Sequence, residues 1–343
     1  MFATYVHNLD PVALPLFGGL ALRWYGLAYL MGFLVGFLLL RYLGKRGLWV
    51  LKPEKAGDFI AAAALFGVFL GGRLGYILFY HIPREGFHSL VADPLLVFRV
   101  WEGGMASHGG ILGLVIFTWF YARKQKVTWT GLGDGLCVVA PLGLFFGRMA
   151  NFVNGELYGR VAHGVSWAMK FPLSLMDHAA PESTRFELAA AAAAKVQPAL
   201  QPAYQAMEDA SNEGYPYARS AYFEQLLAAN RHSDKVTDAI APYLEPRHPS
   251  QLYEGALEGL LLFLILWTVR VRFPKAPDGL LTGLFFLLYP IFRIFAEQFR
   301  EPDAKLVGAF TQGQFLSFFM FLFSACFLAY AWRGWRKSVS GSV

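Results

Sequence analysis

Leu284–Arg300 reads LFFLLYPIFRIFAEQFR, an apolar run fit for a bilayer that ends on three charged residues. Tyr289, Arg293, Glu297 and Arg300 recur at spacings of four, four and three, so they share one face of a helix. A guanidinium near the bilayer centre costs about 2.5–3.5 kcal/mol on insertion scales. The same conflict occurs in Ala63–Tyr80 (AALFGVFLGGRLGYILFY), which holds Arg73, and in Leu142–Arg160 (LGLFFGRMANFVNGELYGR), which holds Arg148. Several such residues call for a partner that offsets the cost. The commonest anion at a membrane is a lipid phosphate. An arginine fork suits it, because it grips two oxygens at once and does not lose its proton.

The rest of the chain agrees with a membrane setting. Of 343 residues, 56% are hydrophobic and 16% charged, with 32 Phe; a soluble domain averages about 25% charged. Seven apolar segments, near 17–40, 58–80, 106–122, 131–150, 252–271, 280–298 and 312–332, are long enough to cross about 30 Å of hydrocarbon. The fold expected is an all-α polytopic membrane protein of about seven spans. Net charge is +6, but the basic residues flank apolar runs in short loops, which argues against nucleic acid as a partner. Cys137 and Cys326 both lie in apolar runs and read as small core residues. The opening MFATYVHNLDPVALP lacks the basic n-region and the cleavage site of a signal peptide.

Orientation follows from lysine and arginine. One set of loops carries Arg41, Lys45, Arg46, Lys52 and Lys55, then Arg123, Lys124 and Lys126, then Arg270, Arg272 and Lys275, then Arg333, Arg336 and Lys337. The opposite segments carry Arg23, Arg84, Arg99, Arg300 and Lys305. The first set is expected in the cytoplasm, with the N-terminus outside and the C-terminus inside. Three regions result: spans one to four with a membrane-embedded site (1–154), an extracytoplasmic insertion (155–250) and spans five to seven (251–343). Within the insertion, the pieces ESTRFELAAAAAAK and YARSAYFEQLLAANR are helical by composition. The run Ala189–Ala194 is low-complexity, and its deletion is expected to be tolerated.

Five spans bring polar residues to the outer half of the bilayer: Tyr25, Arg73, His108, the group Arg148, Asn151, Asn154 and Glu156, and the group Tyr289, Arg293, Glu297 and Arg300. Scattered structural polar groups would occupy both leaflets, so a shared depth argues for one site. Structural roles stand beside that reading. Glu297 can pair with its flanking arginines, and Asn151 and Asn154 can satisfy freed backbone groups. Arg73 can pin a helix through carbonyls or a carboxylate, His108 can be a turn residue, and Tyr25 with Trp24 fits an aromatic belt.

The stretch GRMANFVNGELYG (Gly147–Gly159) resembles the signature of the prolipoprotein diacylglyceryl transferases. Supporting motifs follow in order: RWYGLAYLMGF (Arg23–Phe33), GGRLGY (Gly71–Tyr76), WEGGMASHGG (Trp101–Gly110), RHPSQLYEG (Arg247–Gly255) and YPIFRIFAEQFREPD (Tyr289–Asp303). The resemblance implies a bacterial inner-membrane enzyme that moves diacylglyceryl from phosphatidylglycerol to the lipobox cysteine of a preprolipoprotein. It implies that Arg148 and Arg293 hold the headgroup and that His108 is catalytic or activates the thiol. Tyr25, Asn151, Glu156, Gly159, Tyr289 and Glu297 match positions important in the family. Two departures stand out: GGMASHGG replaces a wording close to GGMSFHGG, and the region Arg160–Pro246 is longer than expected.

Such a reaction needs a thiolate and a stabilised phosphate leaving group, with lipid and peptide held together. The sequence shows no metal-binding motif and no nucleotide loop, so no cofactor is expected. An anion transporter would show repeats and midplane polar groups, and neither is evident. A hydrolase using Ser107 or Ser250 lacks a nucleophile elbow.

Overall fold

The structure, a computed structural model, describes residues 4–16, 21–99, 103–212, 217–301 and 312–340. Trp101, Asp303, Lys305 and the expected opening of the first span at 17–20 lie outside the described residues. The chain divides into two compact units that alternate along the sequence. The first comprises Met1–Tyr29, Phe145–Leu257 and Phe292–Phe315; the second comprises Leu30–Leu144, Glu258–Ile291 and Leu316–Val343.

Each of the seven apolar segments contains a helix. These helices are α1 (Trp24–Lys45), the continuous helix α2 (Lys55–Glu85), α4 (Ser107–Gln125), α5 (Trp129–Asn154), α10 (Ser250–Arg272), α11 (Leu280–Ala296) and α12 (Gln312–Ser340). A short helix α3 (His88–Ala92) separates α2 from α4. Long apolar stretches in α1, α2, α5, α10 and α12 are sufficient to cross a membrane, and α11 is shorter, so the chain is a multi-pass membrane protein. The first helix begins at Trp24, seven residues later than hydropathy suggests. Before it, β1 (Val12–Pro15) pairs antiparallel with β2 (Ala21–Arg23). The Asp10 carboxylate accepts the Val12 amide and starts that hairpin.

In the second unit, α2 and α4 pack backbone against backbone. A Cβ at Gly75 would lie 2.4 Å from the Gly109 Cα, and one at Gly71 would lie 2.8 Å from the Gly113 Cα. Small residues at this spacing let membrane helices approach closely. The start of α11 is fixed by Asp134 of α5, a buried carboxylate the sequence reading passed over. It accepts the amides of Gly279 (2.9 Å) and Thr282 (2.8 Å) and the Thr282 hydroxyl (2.7 Å). A carboxylate there satisfies orphan amides and suits the helix dipole. Cys137 and Cys326 are free thiols; Cys137 is half-buried, but Cys326 is exposed on α12, contrary to the expectation of a core residue.

In the first unit, α6 (Phe186–Val196), α7 (Gln201–Asn212), α8 (Tyr217–His232) and α9 (Asp234–Ile240) form a helical head. Its core joins Val6, Leu175, Phe186, Tyr222, Leu226, Val236 and Ile240 with Ala189, Ala190, Ala193 and Ala194. The alanine run is therefore packing surface and not a tolerant tract. Its methyls leave room for neighbouring helices, and the Tyr222 hydroxyl reaches the Ala190 carbonyl at 2.8 Å. Deleting it removes one wall of the core. His7 anchors the N-terminal segment below the head, donating from Nε2 to the Phe152 carbonyl (2.7 Å) and stacking on Phe171. Burial pushes its imidazole down to about 4.

Candidate active site

Glu254 lies at the centre of the charged residues of the first unit. Its carboxylate is fully buried on α10 and meets three guanidiniums. Arg148, from α5, approaches through Nε at 2.8 Å. Arg293, from α11, donates from Nη1 at 3.1 Å. Arg300, just beyond α11, donates from Nη1 to both oxygens, at 2.8 and 3.0 Å. Glu297, one turn from Arg293, pairs with its Nη2 at 2.8 Å. Among the described ion pairs, three guanidiniums thus gather on the Glu254 carboxylate, and one of them also meets Glu297. Arg148 and Arg293 keep 18% and 14% of their side-chain surface exposed, against 5% for Arg300. Arg148 and Arg293 are thus the more accessible of the three.

A tight turn after α5 carries Glu156, a further carboxylate, and the side-chain amides that bond it. Gly155 takes a left-handed conformation (φ 72°), and its amide bonds the Phe152 carbonyl at 2.9 Å. Asn151 donates to the Glu156 carboxylate at 2.8 Å and Asn154 to the same oxygen at 3.4 Å. Leu157 also has positive φ (57°), a costly conformation for such a residue that the surroundings must hold. They do so through α10: Ser250 donates to the Leu157 carbonyl (2.9 Å) and Gln251 to the Glu156 carbonyl (2.6 Å). The Ser250 hydroxyl is thereby committed to the backbone.

Gly159 serves packing. Its amide donates to the His248 carbonyl at 2.8 Å, and a Cβ there would lie 2.4 Å from the Phe299 carbonyl oxygen. Expected among the substrate-binding residues, it forms a tight backbone crossing. Beside it, the fully buried Arg247 holds Glu182 bidentately, both contacts 2.7 Å, and reaches Glu301 at 3.1 Å. Burial pushes the Glu182 carboxyl up, but the Arg247 fork overrides this and holds it below the usual range.

The remaining expected site residues have surroundings of their own. Tyr25 is on the first turn of α1 in the first unit, 36% exposed, its ring 5.4 Å from that of Tyr29. Tyr289 belongs to the second unit and stacks on Phe285. His108 is the second residue of α4, also in the second unit, and is exposed. Arg73 is buried in that unit, its guanidinium directed at four backbone carbonyls: Val97 (3.2 Å), Gly103 (2.6 Å), Gly104 (3.1 Å) and Leu96. A phosphate ligand would have to displace those acceptors.

The sequence reading missed Glu254, Arg247, Glu182 and Gln251. For Glu254 a signal existed: with Glu258 it places two acids four residues apart in an apolar span, the same anomaly as the arginines with opposite sign. Chemically, the gathered guanidiniums, oriented by buried carboxylates, are fit to receive an anion and to stabilise charge that grows on it.

A family model described as Prolipoprotein diacylglyceryl transferase matches residues 11–330. A phosphatidylglycerol–prolipoprotein diacylglyceryl transferase of Bdellovibrio bacteriovorus is 40% identical over 330 residues, covering 92% of this chain and 91% of the relative. Proteins of the same name from Escherichia coli O1:K1 and Shigella boydii serotype 18 are each 36% identical over 340 residues, covering 97% of both chains.

Proposed function

The chain belongs to the prolipoprotein diacylglyceryl transferase family, and from that premise we infer that it transfers diacylglyceryl from phosphatidylglycerol to a prolipoprotein. The acceptor is the lipobox cysteine thiol. Sulfur bonds to the glyceryl carbon, the bond from that carbon to the phosphate oxygen breaks, and glycerol 1-phosphate leaves. The thiol proton goes to a base or to the departing phosphate. The lipid is both donor and energy source. The enzyme resides in a bacterial inner membrane with its N-terminus periplasmic and its C-terminus cytoplasmic, and residues 155–250 form the periplasmic insertion between seven spans.

The observation that supports this reading most strongly is the Arg148–Glu254–Arg293–Arg300 cluster. Arg148 and Arg293 take the phosphate; Arg300 with Glu254 and Glu297 fixes their forks. Leaving-group charge then develops where guanidiniums already point, and no reorganisation is needed at the moment of reaction. Asn151, Asn154 and Glu156 offer hydrogen bonds to the glycerol hydroxyls, and Tyr25 and Tyr289 flank the lipid. His108 accepts the thiol proton, a role open to an imidazole ring nitrogen.

The test uses purified protein, phosphatidylglycerol labelled in its diacylglyceryl part, and a lipobox peptide. Label on the peptide thiol is expected, and none on a Cys-to-Ser peptide. Labelled diacylglycerol with no labelled peptide would replace transfer by hydrolysis.

A further inference from the structure

His108 stands two residues into α4, and the two glycines shortly before that helix, Gly103 (φ 86°) and Gly104 (φ 77°), are both left-handed. Such a segment has little conformational preference of its own and must be fixed from outside. The fixing comes from α2. Arg73 Nη1 donates to the Gly103 and Gly104 carbonyls, and the Ala106 amide donates to the Gly72 carbonyl at 2.9 Å. Tyr76, beneath the Arg73 guanidinium at 5.6 Å, closes the side of Gly104, where a Cβ would lie 2.6 Å from the Tyr76 ring. Beyond His108, Gly109 and Gly113 seat α4 against Gly75 and Gly71. The other half of the same guanidinium binds the Leu96 and Val97 carbonyls. That segment exposes Phe87, Val91, Leu95 and Phe98, each by 65–69%, an apolar face too short to span and suited to the membrane boundary.

We propose that Arg73 is a positioning residue: it locks the turn that presents His108 and ties it to the lipid-facing segment 87–98. The proposal rests on the role given to His108 above. It predicts that Arg73 governs the chemical step and not the affinity for phosphatidylglycerol. A phosphate ligand in the ground state would govern affinity as well.

The experiment compares Arg73→Met, His108→Asn and the double variant, purified in detergent and assayed over a range of phosphatidylglycerol concentrations. Arg73→Met is expected to lower kcat by about 10–100-fold while KM for the lipid stays within about twofold. In the His108→Asn background the same change is expected to cost no more than about twofold, because both substitutions disable one device. A KM raised about tenfold with kcat restored at saturating lipid would make Arg73 a phosphate ligand and overturn the proposal. Losses that multiply would also overturn it, leaving the role of His108 intact. A fully active His108→Asn would remove the premise itself. If Arg73→Met does not elute as a folded species, Arg73→Lys decides. It keeps the charge but not the fork, so a lowered kcat with unchanged KM is expected, and a wild-type kcat overturns the proposal.

Discussion

Arg293 and Arg73 both sit in apolar helices, and both are taken up by internal partners, but of different kinds. Arg293 meets the carboxylates of Glu254 and Glu297 in a cluster that also holds Arg148 and Arg300. Arg73 meets four carbonyls. Carbonyl dipoles satisfy the donors of a guanidinium and fix the backbone that supplies them. Carboxylates compensate charge and orient guanidiniums, two of which, Arg148 and Arg293, stay partly exposed. The type of partner, more than the arginine itself, therefore separates a strut from a site. His7 shows a third solution: a basic residue buried neutral, with its Nε2–H hydrogen-bonded to a carbonyl.

The largest effect is expected on the cluster. Glu254→Gln removes the carboxylate that three guanidiniums share, and breaking a buried pair in this way costs about 3–5 kcal/mol. The change should appear as a marked fall in Tm in detergent together with loss of transfer. A Tm close to wild type would mean that Glu254 does not compensate the cluster, and the contrast with Arg73 would fail. Next comes Arg148→Lys, which keeps charge but loses the planar fork. Activity is expected to fall by about 10²–10³-fold, as when a transition-state donor is removed. Full activity with normal folding would break the phosphate assignment.

Glu182→Gln sharpens the comparison, because Arg247 is an arginine paired wholly for structure. Glu301 remains as a second acceptor, so about 2 kcal/mol of stability should go, less than for most broken buried pairs. KM for phosphatidylglycerol should not move; a rise would place Arg247 in the site. The smallest effect belongs to His7. Its folded imidazole is lowered from 6.5 to about 4, so between those values the unfolded chain binds more protons. Stability is present above pH 6.5 and falls as pH drops, by at most about 1.4 kcal/mol per pH unit. Burial also lowers His248, which adds the same sign. Glu182 acts only below its ordinary 4.5, where protonation removes its pairing. Melting curves at pH 7 and 5 should converge partly in His7→Gln; an unchanged acid sensitivity would clear His7 of that role.

Hydropathy pointed to a helix in each apolar segment, and five of these helices are long and apolar enough to cross a membrane. It misplaced the start of α1, where Asp10 and a strand pairing act before the helix takes over. Arg148, Arg293, Glu297 and Arg300 were legible as charges in apolar surroundings. Their shared partner Glu254 was overlooked because its three contacts come from other helices or from beyond α11, up to 106 positions away in the chain. The partners of Arg73 were invisible for a different reason: they are carbonyls, which every residue has. The alanine run misled through its composition, although 189, 190, 193 and 194 follow a helical period that marks one buried face.

The central claim is that the lipid phosphate is held by the arginines of the carboxylate cluster. A structure of the protein with bound phosphatidylglycerol, resolved well enough to place the phosphorus, tests it directly. The account predicts phosphate oxygens within hydrogen-bond reach, about 2.7–3.2 Å, of the Arg148 and Arg293 guanidiniums, with Arg73 still on its four carbonyls. A phosphate seated on Arg73, with Arg148 and Arg293 bonded only to Glu254 and Glu297, would contradict it.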